Sequence, residues 1–110
     1  MEVIKTNDTR AVVAAVKGRV DTVTAPEFEK KISEIMDGEN MPLVLDCCGL
    51  EYISSAGLRS ILVISKALKP RGLTVSFSGL RGNVKDVFSI SGFGSIFKIF
   101  ETTEDALKSI

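Results

Sequence analysis

The chain has 110 residues, 45% of them apolar and 25% charged, and its 14 basic side chains balance 14 acidic ones. These values fit one globular domain over residues 1–110, large enough to close a core without disulfides or metals, and exclude a disordered or fibrous chain. Balanced charge argues against the basic stripe of a nucleic-acid binder, and the absence of histidine removes the commonest general base and the commonest metal ligand together.

Met1–Thr6 reads as a short edge strand turned by Asn7-Asp8. Ala11–Lys17 is a Val/Ala-rich strand ended by Gly18. Thr24–Met36 is a helix, with Thr24 and Glu27 spaced as a capping box and Pro26 in the first turn. Ala25, Phe28, Ile32, Ile35 and Met36 share one face of it. After the break at Asp37–Asn40, Leu43-Val44-Leu45 is a strand ending at Asp46. Ser54–Lys69 is a second helix, its apolar positions including Leu58, Ile61, Leu62 and Leu68, stopped by Pro70 and Gly72. Leu73–Phe77 is a strand, Val84, Val87 and Phe88 form a short helical face, and Ile96–Phe100 is a final strand. Thr102 or Thr103 caps a last helix carrying Ala106 and Leu107.

Strands alternating with helices predict an α/β fold: a mostly parallel sheet of about five strands and about four helices. The initial strand, joined by a short turn, is expected antiparallel at the edge. Cys47 and Cys48 are neighbours, where a disulfide is strained, so both are read as free, buried thiols near a strand end in a reducing cytosol. The first residues carry no basic-then-apolar leader, and the longest apolar run, Ile61–Ile64, is too short to span a bilayer. A soluble, cytoplasmic protein without membrane, metal or cofactor is the expectation.

The chemistry concentrates between Asp46 and Leu58, read as a strand end, a loop and a serine-rich helix start. Binding sites of open α/β sheets gather at the carboxyl ends of strands. Ser54 and Ser55 are both plausible helix caps, so local chemistry does not separate them. Tyr52-Ile53-Ser54-Ser55-Ala56-Gly57-Leu58-Arg59 resembles the phosphorylation segment of STAS domains in bacterial anti-sigma factor antagonists. Gly18-Arg19-Val20-Asp21, Thr24-Ala25-Pro26, Leu43-Val44-Leu45-Asp46 and Phe88-Ser89-Ile90-Ser91-Gly92-Phe93 resemble other elements of that family, in the same order.

The resemblance implies partner switching. An unmodified antagonist binds an anti-sigma factor that is a GHKL-type serine kinase, which frees a sigma factor for transcription. Phosphorylation releases the antagonist, and a PP2C-type phosphatase resets it. Carried over by position, Ser55 is the acceptor and Ser54 fills the place often held by an acid, which leaves it a competing hydroxyl. Asp21, Ser54, Ala56, Gly57 and Arg59 are the implied partner-binding residues. Asp21 also reads as a plain turn acid, and Arg59, a cation in a helix's first turn, as an exposed side chain.

No catalytic residue is assigned. Asp46 lacks the acidic pair of a magnesium-dependent phosphoacceptor, a serine hydrolase lacks its histidine base, and Gly79-Leu80-Arg81-Gly82 lacks both the Walker and the Rossmann spacing. Two alternatives to the switch stay open. One is a non-catalytic STAS scaffold in a signalling assembly or lipid-transport ATPase complex. The other is a small-molecule module, which would need a ligand-sized apolar pocket near Ser55.

Overall fold

A computed structural model describes residues 1–110. The chain opens as a hairpin in which β1 (Glu2–Asn7) pairs antiparallel with β2 (Val12–Val20), Asn7 facing Val12. At its turn Asp8 Oδ1 accepts from the Arg10 backbone N–H and from Arg10 Nε, both at 2.9 Å. The Arg10 guanidinium also reaches Glu104 near the chain end, at 3.4 Å.

The remaining strands, β3 (Leu43–Ile53), β4 (Val75–Ser78) and β5 (Lys98–Phe100), add in parallel, giving the order β1-β2-β3-β4-β5. One face carries Val12, Ala14 and Val16 of β2, Leu43 and Leu45 of β3, and Val75 and Phe77 of β4. Against it pack α1 (Ala25–Met36) through Phe28, Ile32 and Met36, α2 (Ser55–Leu68) through Ile61, Ile64 and Leu68, and α3 (Gly82–Ile90) through Val84 and Phe88. Phe77 meets Phe88 and Phe97 edge-on with centroids 5.2 Å apart, the favoured aromatic geometry. The opposite face is covered only in part, where Ala106 and Leu107 of α4 (Thr103–Lys108) pack on Val13 and Val44.

The sheet has the five strands and four helices expected, yet several boundaries differ. β2 does not stop at Gly18. That glycine takes φ +87°, a region L side chains rarely enter, and the register shifts there while pairing continues to Val20 opposite Ile53. β3 does not end at Asp46 either. The expected loop is strand as far as Ile53, with Cys47, Leu50 and Ile53 buried. The register shift between Ala15 and Lys17 breaks the two-residue alternation that would have marked it. β5 starts at Lys98, because Phe93–Ser95 closes a 3-10 turn and leaves Ile96 exposed. Both cysteines are free, but Cys48 is exposed and both lie within β3.

Because β4 ends at Ser78, opposite Asp46, β2 and β3 run on past the rest of the sheet as a two-stranded tip. α2 starts on this tip, and Gly57 permits the approach. A Cβ there would lie 2.6 Å from Ile53 Cγ1 and 2.9 Å from the Val20 carbonyl oxygen. Buried Ser60 then ties α2 to α1 by donating to Glu29 Oε2 at 2.6 Å.

Two outcomes follow from these contacts. In a helix Gly→Ala normally gains about 1 kcal/mol, but overpacking against fixed backbone costs about 1–3 kcal/mol. Gly57→Ala should therefore lower the urea midpoint, and a raised midpoint would show that α2 does not bear on Val20. Arg10, by its side chain first and its backbone N–H second, holds the Asp8 carboxyl down at about 2 against an ordinary 3.8. A lowered folded-state value stabilises above the ordinary value and is lost as pH falls through the folded one. Asp8→Asn should thus narrow the stability lost between about pH 5 and about pH 2, measured by denaturant titration at each pH. Equal losses in both proteins would contradict the clamp.

Candidate functional site

Two helix starts emerge side by side from the β2–β3 tip. The Ser54 N–H donates to the Val20 carbonyl at 2.9 Å, and the Ala25 N–H donates to the Asp21 carbonyl at 2.8 Å. Val20, the last residue of β2, and Asp21 just after it thereby hold the starts of α2 and α1.

The two serines divide the local work. Ser54 is the N-cap of α2: extended at φ −95° and ψ 175°, it accepts the Gly57 N–H on its hydroxyl oxygen at 3.3 Å. Ser55 is the first helical residue; its hydroxyl is exposed and makes no hydrogen bond. No acidic residue occupies the first turn of α2, so its N–H groups and dipole face solvent at Ser55 without a compensating charge.

The other implied contact residues separate by exposure. Arg59 is exposed, Ala56 half-buried, and Gly57 buried against Val20 and Ile53. Gly57 therefore acts through packing, setting where Ser55 sits.

Asp21 is placed at the tip, but its carboxylate turns inward on its own loop. Oδ1 accepts from the Val23 N–H at 3.0 Å and the Thr24 N–H at 3.1 Å, with the Thr24 hydroxyl at 3.2 Å. Oδ2 lies 3.9 Å from Arg19 Nε. The Thr24 N–H above all, then its hydroxyl, the Val23 N–H and the Arg19 charge, keep the carboxyl below its ordinary pKa against an opposing desolvation. The Thr24–Glu27 capping box does not form. Thr24 makes no side-chain cap to α1; its hydroxyl instead accepts the Asp21 N–H and reaches the Arg19 carbonyl, both at 2.9 Å. Asp21 Oδ1 takes the Thr24 N–H, the bond the pattern assigns to the Glu27 side chain, and α1 has no side-chain cap.

Arg19 was not singled out in the sequence. Its guanidinium lies 4.2 Å over the Tyr52 ring, a cation–π contact made possible because Arg19 and Tyr52 are partners across β2 and β3. Only the register of the tip reveals the pair.

Both thiols are shifted away from the thiolate form. Burial pushes Cys47 far up, and Cys48 is raised first by its hydrogen bond to Asp46. No group of His, Cys, Asp and Glu side chains is placed to hold a metal ion, and no helix is long and apolar enough to cross a membrane. Two surface grooves, of about 310 and about 510 Å³, are lined respectively by residues such as Met36, Ile64 and Leu68, and Leu73, Phe97 and Ile110; neither includes Ser55.

Comparison with known proteins agrees with this layout. The STAS domain family model matches residues 2–106. BtrV of Bordetella bronchiseptica, a candidate anti-sigma factor antagonist, is 36% identical over 94 residues, 86% of this chain and 81% of its own. RsfB of Mycobacterium tuberculosis, an anti-sigma-F factor antagonist, is 29% identical over 100 residues, 89% of this chain and 80% of its own. The crystal structure of an anti-sigma factor antagonist from Mycobacterium paratuberculosis superposes with a TM-score of 0.87 at 24% identity, covering 99% of this chain and 92% of that one. SpoIIAA in its unphosphorylated form superposes at 0.81 with 21% identity, covering 98% and 95%. These structures establish the shared fold, and the family match runs from β1 into α4: the chain belongs to the STAS domain family.

Proposed function

We propose that this protein is an anti-sigma factor antagonist switched by phosphorylation of Ser55. Unmodified, it binds a GHKL-type serine kinase that serves as an anti-sigma factor, and so frees a sigma factor. Phosphorylated, it lets go, and a PP2C-type phosphatase restores it. The observation that carries the reading is the division between the serines: Ser54 is engaged with the Gly57 N–H, while Ser55 is exposed and free. It is supported by relatives, BtrV and RsfB, whose names describe antagonists of anti-sigma factors. The chain itself acts as a binding partner in the cytoplasm and not as an enzyme. The absence of histidine and the raised thiols support that part of the reading.

The physics of the switch is local. A phosphoserine adds about −1.5 to −2 charge at neutral pH. At the first residue of α2, uncompensated N–H groups and the helix dipole accommodate it, so the domain stays folded. Against a partner packed on the tip, the same group brings bulk and a desolvation cost. A loss of about 2.7 kcal/mol is enough to weaken binding about a hundredfold. Ser54, Ala56 and Arg59 complete the partner-facing surface in this reading.

Wild-type protein used as bait in native lysate should retain a serine-kinase anti-sigma factor. Retention of only transport-ATPase or scaffold subunits would replace the switch by the scaffold reading. With that kinase and ATP, mass spectrometry should place the phosphate on Ser55, and Ser55→Ala should stay folded and unlabelled. Ser54→Ala should still be labelled while losing about 1 kcal/mol of stability with the helix cap. Phosphate on Ser54, or full labelling of Ser55→Ala, would overturn the assignment.

A further inference from the structure

α2 carries a charge arrangement that the unmodified chain leaves unbalanced. Its 14 residues contain no acid, and its only cations are Arg59 and Lys66. Arg59 sits near the helix start, where the macrodipole disfavours a positive charge. Its side chain is exposed and makes no hydrogen bond or ion pair. On a helix, side chains three and four residues apart are the ones that meet. For Arg59 these belong to Ser55, Ala56, Leu62 and Val63, and of the four only Ser55 can acquire a charge.

The direction and order of the pair also fit. Cα–Cβ bonds tilt toward the helix N-terminus, so the long Arg59 side chain leans back over the turn that carries Ser55. An anion four residues before a cation is the more favourable order, because it also agrees with the dipole. Backbone donors are in place beside it. The Ser54 N–H is taken by Val20 and the Gly57 N–H by the Ser54 hydroxyl, while the N–H groups of Ser55 and Ala56 have no acceptor. Of the neighbouring charges on the tip, Arg19 and Asp21 lie 3.9 Å apart and pair with each other.

We propose that Arg59 is the built-in counter-ion of phosphorylated Ser55. Its planar guanidinium closes on two phosphate oxygens as a fork, and the Ser55 and Ala56 N–H groups meet the phosphate from the helix start. The phosphate is thereby held against α2 in one orientation, across the surface that a partner covers, and does not trail into solvent. This inference rests on the reading of Ser55 as the acceptor. It gives Arg59 a task within the modified chain, besides the partner contact that the family resemblance implies.

The test compares wild type, Arg59→Ala and Arg59→Lys, each unmodified and each with phosphoserine installed at position 55 during synthesis. In a phosphorus NMR titration the wild-type phosphate should lose its second proton about half a pH unit below that of Arg59→Ala. Arg59→Lys, which keeps the charge and loses the fork, should fall between them. Phosphorylation should raise the melting temperature of wild type by roughly 3 °C and that of Arg59→Ala by less. Unmodified Arg59→Ala should melt at or above unmodified wild type, since the cation is disfavoured at the helix start. Equal phosphate titrations and equal melting gains in wild type and Arg59→Ala would overturn the counter-ion. Neither measurement uses the kinase or the anti-sigma factor, so that failure leaves the switch to its own labelling test. Kinase-transferred phosphate found on a residue other than Ser55 would instead remove the acceptor reading, and this inference with it.

Discussion

The parallel pairing of β2 with β3 beyond the end of β4 is the constraint on which the rest of the site depends. It brings Val20 opposite Ile53, and the Val20 carbonyl then receives the Ser54 N–H. α2 descends onto that same carbonyl, which it can do only because residue 57 has no side chain. Core packing and site geometry are therefore one problem: the contacts that bury Ile53 and Val20 also fix the direction in which Ser55 leaves the molecule. The tip is therefore paired strand carrying a buried helix start, and not a loop.

A platform of paired strands suits the proposed switch, which works by charge. No second conformation is required if the modified group sits where the folded chain already tolerates an anion and where a partner does not. The first turn of α2 meets the former condition, with free N–H groups and no acid. A surface packed against another protein meets the latter, since burying a doubly charged group without partners is costly. In the proposed switch, helix geometry is what separates the two adjacent hydroxyls. One is turned back as a cap and is bonded to Gly57, and the other, a residue later, points outward.

Much of the fold was legible in the sequence because its periodicities are strong. Phe28, Ile32 and Met36 mark α1, and a serine cap and a Pro70/Gly72 stop bracket α2. What was hidden lies where the periodicity breaks. The register shifts near Ala15 and Gly18 hid the last three residues of β2 and the part of β3 beyond Asp46, which the sequence presents as a loop. Thr24 and Glu27 fit a capping box by spacing, yet Asp21 takes the Thr24 N–H from outside the helix and the Thr24 hydroxyl turns back to the Asp21 N–H, a competition that spacing does not show. The stacking of Arg19 on Tyr52 depends on cross-strand register and has no local signature. Ser54 and Ser55 were equivalent as helix-start hydroxyls; the structure distinguishes them by their bonds and exposure.

The central claim is that charge at Ser55 alone turns partner binding off. It is tested most directly by installing phosphoserine at position 55 during synthesis and measuring its calorimetric affinity for the anti-sigma factor without any kinase step. The account predicts a loss of about a hundredfold relative to unmodified protein. Equal affinity of the two forms would contradict it.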